Sequence, residues 1–416
     1  METHRTFERR SASALLAALR DTPVVLLNGP RQSGKSTLAQ ELVRRGALST
    51  YLTFDSAADL ASAAADPDGF VRGLDRPAVI DEVQHVPDLF RAIKLAVDRD
   101  RRPGRFLLTG SVDVLLAPRI SESLAGRMEL HTLWPLSQGE IEGARDRFVE
   151  AVFRDELPAF HQDPGTRREL AERIVRGGYP EVVLRPRDRR AQWFASYITA
   201  IVQRDIRSLA EIDSLISVPG LLHMLGARVG SLLNAAELSR RSGIPYTTLS
   251  RYLSLLEATF ILRRIPAWSG GLGQRLLKHP RIFVCDSGLA ASLQGVDVER
   301  IAMAEPTLIG PLIENFVAME LVKQLGWHPA SAHLYHFRSA AGEEVDLVLE
   351  RGDGKVVGLE VKASASVTED DLRGLRALAS RTGRKFHRGV LLYMGDRSVR
   401  FGRGLHAVPL SALWRM

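Results

Sequence analysis

Nine consecutive residues carry the strongest chemical signal in the sequence: Gly29, Pro30, Arg31, Gln32, Ser33, Gly34, Lys35, Ser36 and Thr37. The two glycines let backbone N–H groups curl around an anion, and a helix N-terminus behind them adds partial positive charge. The pattern G-x-x-x-x-G-K-[ST] sets Lys35 against the β- and γ-phosphates of ATP and the Ser36 hydroxyl on Mg²⁺. Downstream, the apolar run Ala78-Val79-Ile80 ends in Asp81-Glu82. Elsewhere such a run is a plain strand terminus. Behind a phosphate loop it places two carboxylates at the edge where open parallel sheets bind ligands. Asp81 suits the Mg²⁺ shell, and Glu82 suits orienting and deprotonating an attacking water. The pair of motifs predicts an ATP hydrolase rather than a passive nucleotide binder. Thr109 ends the next apolar run, where a hydroxyl can sense the γ-phosphate, although Thr-Gly-Ser is also ordinary turn chemistry. Arg127 and Arg119 are candidates for an arginine finger lent to a neighbouring subunit, with Arg127 preferred; either reading requires a homo-oligomer.

These residues need a sheet to hold them. Residues 24–27, 51–54, 78–80, 106–108 and 130–133 read as strands alternating with helical segments, the pattern of a parallel α/β sheet. In the segment 87–98, Leu89, Phe90, Ile93, Leu95 and Val97 stand at helical spacing. From about residue 145 the sequence turns helical and Arg-rich, and Gly177-Gly178-Tyr179-Pro180 interrupts it as a turn. The expected organisation is a P-loop ATPase core over 1–145, a helical region over 146–230, a winged helix over 231–290 and a further α/β domain over 291–416. With 45% hydrophobic and 25% charged residues, the composition is that of a soluble globular protein. There is no run of about 18 apolar residues to cross a bilayer and no secretory signal. Cys285 stands alone, which excludes an intrachain disulfide, and no Cys/His cluster has zinc-ligand spacing. The chain is expected in the cytoplasm. The net charge of +7 is compatible with nucleic acid and equally with a solvated basic surface.

Within the middle segment, residues 232–243 and 245–259 read as two helices about a turn at Gly243. A strand over 260–265 and a second over 278–284 follow as a wing. If this element reads double-stranded DNA, Tyr246, Thr247, Thr248 and Arg251 face the major groove; the alternative is a lid or interaction module. Near the C-terminus, a helix over 308–325 precedes strands at 334–337, 345–349, 356–361 and 390–393. A hairpin at 352–354 brings Asp346 beside Glu360 and Lys362, which are two apart and share a face. Carboxylates there can hold Mg²⁺ and Lys362 can position an attacking oxygen. A structural ion-pair network would instead need nearby Arg partners, because Lys362 neutralises only one charge.

The order of these motifs, with Leu124-Ala125-Gly126-Arg127, Trp134-Pro135-Leu136-Ser137, the Gly-Gly-Tyr-Pro turn and Gln203-Arg204-Asp205-Ile206, resembles a family of bacterial and archaeal AAA+-type ATPases. Members carry a C-terminal domain of unknown function that looks like a PD-(D/E)XK nuclease. The resemblance spans nearly the whole chain and implies ATP hydrolysis and ring assembly. It adds Glu314, on the helix before the strands, to the nuclease-like set Asp346, Glu360 and Lys362. Two function classes stay open: an ATP hydrolase that drives a DNA-directed module, and an ATP-driven switch or remodelling ATPase whose later domains are interaction surfaces.

Overall fold

The apolar run at 24–27 becomes β1 (Val24–Asn28), the second strand from the edge in a five-stranded parallel sheet. A computed structural model describes residues 6–74, 77–111, 124–162, 165–207, 217–270, 279–303, 306–328 and 331–416. The chain divides into two units, Met1–Pro135 with Ala258–Phe260, and Leu136–Glu257 with Ile261–Met416.

In the first unit β1 is followed by α1 (Lys35–Arg44), β2 (Thr50–Thr53), β3 (Ala78–Asp81), α2 (Leu89–Arg99), β4 (Phe106–Gly110) and β5 (Met128–Thr132). The strand order is β2-β3-β4-β1-β5. Val24 pairs with both Phe106 and Met128, Ala78 with Phe106, and Thr50 with Ala78. All five strands therefore begin along one edge, and Asn28, Thr53, Asp81, Gly110 and Thr132 line the other. The three inner strands are buried at every residue, as a sheet covered on both faces requires. One face packs Val24, Leu26, Ile80 and Phe106 against Phe90, Ile93 and Val97 of α2. The opposite face packs Val25, Leu27, Val79 and Leu107 against Leu38 and Leu42 of α1. Each large side chain so buried contributes about 1.5–3 kcal/mol. Leu95, expected inward, is 39% exposed, because it lies roughly half a turn from the Leu89–Ile93–Val97 stripe.

The second unit begins with helices, among them α3 (Arg167–Arg176). The turn at 177–180 that follows is a packing device. Asp286 caps the helix α6 introduced below, accepting from the N–H groups of Gly288 (2.9 Å) and Leu289 (3.0 Å), and its other oxygen accepts from Gly178 at 2.7 Å. A Cβ on Gly177 would stand 2.2 Å from Asp286, and one on Gly178 would stand 2.2 Å from the Leu136 carbonyl. Next come α4 (Ala235–Ser242), capped by Asn234 and ended by Gly243 at φ 70°, and α5 (Tyr246–Ala258). The antiparallel pair β6 (Leu262–Ile265) and β7 (Arg281–Val284) follows, then α6 (Ser287–Leu293). Of the expected wing strand, Lys278 lies outside the described residues.

A long helix, α7 (Pro306–Leu325), leads into β8 (Ala332–Arg338), β9 (Glu344–Arg351), β10 (Val356–Val361), α8 (Arg373–Thr382), β11 (Phe386–Tyr393), β12 (Val399–Arg400) and β13 (Leu405–Pro409). The six strands form one mixed sheet in the order β12-β13-β11-β10-β9-β8. A polar network ties α7 to residues 136–149. Glu320 pairs with Lys323 at 2.6 Å and accepts from the Gln138 N–H at 2.8 Å, while Gln324 accepts from the Val149 N–H at 3.1 Å.

Candidate functional site

Where β1 ends, the backbone turns through Gly29 (φ 146°), Gln32 (φ 63°) and Gly34 (φ 95°) into α1. A side chain on Gly29 would collide with the Leu133 carbonyl at 2.3 Å, so only glycine lets the loop pass beneath the strand β5 exit. Arg9 fastens the same region, donating to the Ser33 and Trp134 carbonyls at 2.6 Å each. Lys35 is buried, and its ammonium donates to the carbonyls of Gly29 and Pro30 at 3.0 Å each.

Asp81 is the hub of the strand edge. Its Oδ1 accepts from the hydroxyls of Ser36 (3.1 Å) and Thr109, and its Oδ2 from those of Tyr51 (2.6 Å) and Thr53 (3.4 Å). Burial, with Asp81 as the hydrogen-bond acceptor and nearby charge, pushes the Tyr51 phenol well up, so it stays a donor. The Thr109 hydroxyl also accepts from the Glu82 N–H at 3.2 Å. Thr109 is fully buried and is engaged with these two carboxylate residues. Glu82 sits in the left-handed region (φ 58°, ψ 43°), which turns its side chain out of the strand. Glu82 Oε2 accepts from Gln84 and from Ser111 (3.3 Å), while among the described residues Oε1 accepts no hydrogen bond. Tyr51, Thr53 and Arg9 carry no motif in the sequence. Strand alignment was the signal available for Tyr51, because β2 must end beside β3.

Arg127 precedes β5, at the edge opposite the phosphate loop. Its Nε lies 2.5 Å from Asp98 Oδ1 and its Nη1 donates to the Ala125 carbonyl at 3.1 Å. With β5 starting level with Val24 and the loop following Asn28, about 13 Å of strand separates Arg127 from its own loop. Arg119 lies outside the described residues.

On α5, Tyr246, Thr247 and Arg251 are exposed and Thr248 is half-buried, while Leu249, Tyr252, Leu253 and Leu256 are buried. In the C-terminal sheet the structure gathers Glu314, Asp346, Glu360 and Lys362, and adds two residues the sequence did not suggest, Arg281 and Glu344. Arg281 Nη1 lies 3.2 Å from Glu314 and 3.3 Å from Asp346, and Nη2 lies 2.8 Å from Glu344. Lys362 pairs instead with Asp371 at 3.4 Å. Burial and then the charge of Asp346 push Glu314 up to about 8 and Glu360 well up, and burial raises Asp346 too. Burial alone would lower the Arg281 guanidinium, but Asp346, Glu314 and Glu344 together raise it. Among the described residues no group of three or more His, Cys, Asp or Glu side chains is arranged to hold a metal ion.

Residues 21–142 match the family described as AAA domain, while residues 167–300 and 309–413 match two domains of unknown function, DUF8612 and DUF4143. Two mycobacterial relatives are each 33% identical over 404 residues, covering 97% of this chain and 83% of their own length. They are the uncharacterized proteins Rv2008c of Mycobacterium tuberculosis and Mb2031c of Mycobacterium bovis. The chain belongs to their family. Its first unit is an AAA-type P-loop domain. Similar solved structures include the Walker-type ATPase PABY2304 of Pyrococcus abyssi, at 16% identity and a TM-score of 0.41, covering 70% of this chain and 96% of that one. A point variant of Thermotoga maritima RuvB follows at 19% identity and a TM-score of 0.29, covering 62% of this chain and 90% of that one. Among the described residues no helix is long and apolar enough to cross a membrane.

Proposed function

We propose that the protein is a Mg²⁺-dependent ATP hydrolase whose nucleotide cycle drives a DNA-directed module in the second unit. The observation that carries this reading is the approach of Ser36 to Asp81, at 3.1 Å, with Glu82 on the next residue. A hydroxyl and a carboxylate that close are the hard oxygen donors Mg²⁺ takes, and the bound ion would neutralise phosphate charge. Lys35 exchanges its loop carbonyls for β- and γ-phosphate oxygens. Glu82 Oε2 is anchored by Gln84 and Ser111, which leaves Oε1 to orient a water and take its proton. The water oxygen bonds to the γ-phosphorus as the bond to the bridging oxygen breaks, and ADP leaves with its new charge held at the loop. Arg127, remote from its own loop, is proposed to serve a neighbouring copy in a homo-oligomer.

The later segments are proposed as a helical region, a winged helix and a nuclease-like α/β domain, with boundaries near 145, 230 and 290. Support for DNA comes from α5, whose buried stripe leaves Tyr246, Thr247 and Arg251 outward, followed by the β6–β7 hairpin in the place of a wing. The test is ATP turnover with and without duplex DNA, together with DNA binding across a salt series. The reading predicts stimulation by DNA and binding that weakens as salt rises. Turnover without DNA binding at low salt would leave the ATPase standing and assign the second unit to a protein partner.

A further inference from the structure

We infer that Arg281 fills the cation position of the C-terminal carboxylate cluster, so that this arrangement takes no divalent ion there and the guanidinium ties the β6–β7 hairpin to the C-terminal sheet. The inference does not depend on ATP hydrolysis. Three carboxylates from two elements converge on one guanidinium: Glu314 from α7, and Glu344 and Asp346 from β9. A Mg²⁺ ion draws oxygens to about 2.0–2.1 Å. Glu314 Oε2 and Asp346 Oδ1, the oxygens it would have to share, instead face Arg281 Nη1 at 3.2 and 3.3 Å. An ion between them would displace the guanidinium or lie in contact with its positive charge.

The surrounding bonds point the same way. The other oxygen of Asp346 accepts from the Val361 N–H at 3.0 Å, and Glu344 is also paired with Arg338 at 3.1 Å. Lys362 is turned toward Asp371. Arg281 is itself only 8% exposed, and a buried guanidinium stripped of its carboxylates is strongly destabilising. Hairpin and cluster thus need each other. Around Arg281 the backbone is closely tied: Gly230 donates to the Ile282 carbonyl at 2.8 Å, and Ile282 donates to Ser231 at 3.0 Å. A Cβ on Gly230 would approach Glu314 to 3.2 Å. Any event that lifts β7 would withdraw the cation from the cluster.

The experiment uses the full chain without nucleotide, with Mn²⁺ binding followed by the electron paramagnetic resonance of the free ion. Wild type and Asp346→Asn/Glu360→Gln are expected to bind Mn²⁺ equally, the ATP site supplying whatever background exists. Arg281→Gln is expected to gain about one Mn²⁺ per chain, which the Asp346→Asn/Glu360→Gln pair then removes. Amide hydrogen exchange in 262–265 and 281–284 should accelerate by about tenfold or more in Arg281→Gln. Should that variant not fold, Arg281→Lys, which keeps the charge but loses the planar fork, is expected to speed the same amides by at least about threefold. Wild-type Mn²⁺ binding that disappears in Asp346→Asn/Glu360→Gln would overturn the inference. So would a folded Arg281→Gln that gains no Mn²⁺, or unchanged exchange in every Arg281 variant that folds.

Discussion

Replacing Asp146 by Asn should make the chain more stable at alkaline pH, the reverse of the usual effect of deleting a buried polar group. The Asp146 carboxyl is 2% exposed and accepts from the Ser137 hydroxyl. Burial, then the charges of Glu320 and Glu140, push it up to about 8, against the opposing pull of Ser137 and Lys323. Between pH 4 and 8 the folded chain therefore holds a proton that the unfolded chain has released, and stability falls as pH rises through that window. Each pH unit of the gap from the ordinary 3.8 is worth about 1.4 kcal/mol, an upper bound of about 5–6 kcal/mol. Relaxation around a buried charge reduces this to ~2–3 kcal/mol. In a unit of this size that corresponds to roughly 5 °C in the unfolding midpoint. Intrinsic fluorescence during heating is a suitable assay, because four of the five tryptophans lie in the second unit. Asp146→Asn should match wild type near pH 4 and exceed it by that margin near pH 8.5. Parallel melting curves for the two proteins from pH 4 to 8.5 would refute the assignment of the proton.

The other predictions concern the nucleotide site, the subunit contact and one packing glycine. Tyr51→Phe removes a 2.6 Å donor from Asp81 and should lower kcat/KM for Mg²⁺-ATP by about tenfold, with Mg²⁺-free ATP binding unchanged. Mixing Arg127→Ala with Lys35→Ala subunits should restore turnover that neither shows alone; a demonstrated monomer turning over at a concentration-independent rate would exclude a shared finger. Gly178→Ala drives a methyl to 2.2 Å from the Leu136 carbonyl and should destabilise the chain by about 3 kcal/mol, read as a drop in the melting midpoint.

The phosphate loop and Asp81-Glu82 were legible in the sequence because their chemistry is local: fixed glycines after one apolar run, and carboxylates at the end of another. The three inner strands of the first sheet were legible for the same reason, since a sheet covered on both faces leaves unbroken apolar runs such as Phe106-Leu107-Leu108. What lay beyond reading were contacts that alignment of distant segments creates. Tyr51 reaches Asp81 only because β2 and β3 share a register, and Arg281 meets Glu314 and Asp346 from 33 and 65 residues away. In an Arg-rich chain nothing marks Arg281 among the others. The helix α8 went unread because only Leu375 and Leu378 are buried in it, too few to show a period. The Gly-Gly-Tyr-Pro segment was legible as a turn, but the reason for two glycines, the carboxyl of Asp286 against one and a carbonyl against the other, is tertiary.

ATP binding and hydrolysis, measured side by side on Lys35→Ala and Glu82→Gln, test the central claim most directly. Lys35→Ala removes the ammonium that faces the phosphates and should weaken ATP binding by at least about tenfold. Glu82→Gln keeps the shape and the contacts to Gln84 and Ser111 but gives up the basic oxygen. It should bind ATP within about threefold of wild type and turn it over at least about a hundredfold more slowly. Hydrolysis by Glu82→Gln at the wild-type rate would contradict the account, because the water-activating group would then lie elsewhere.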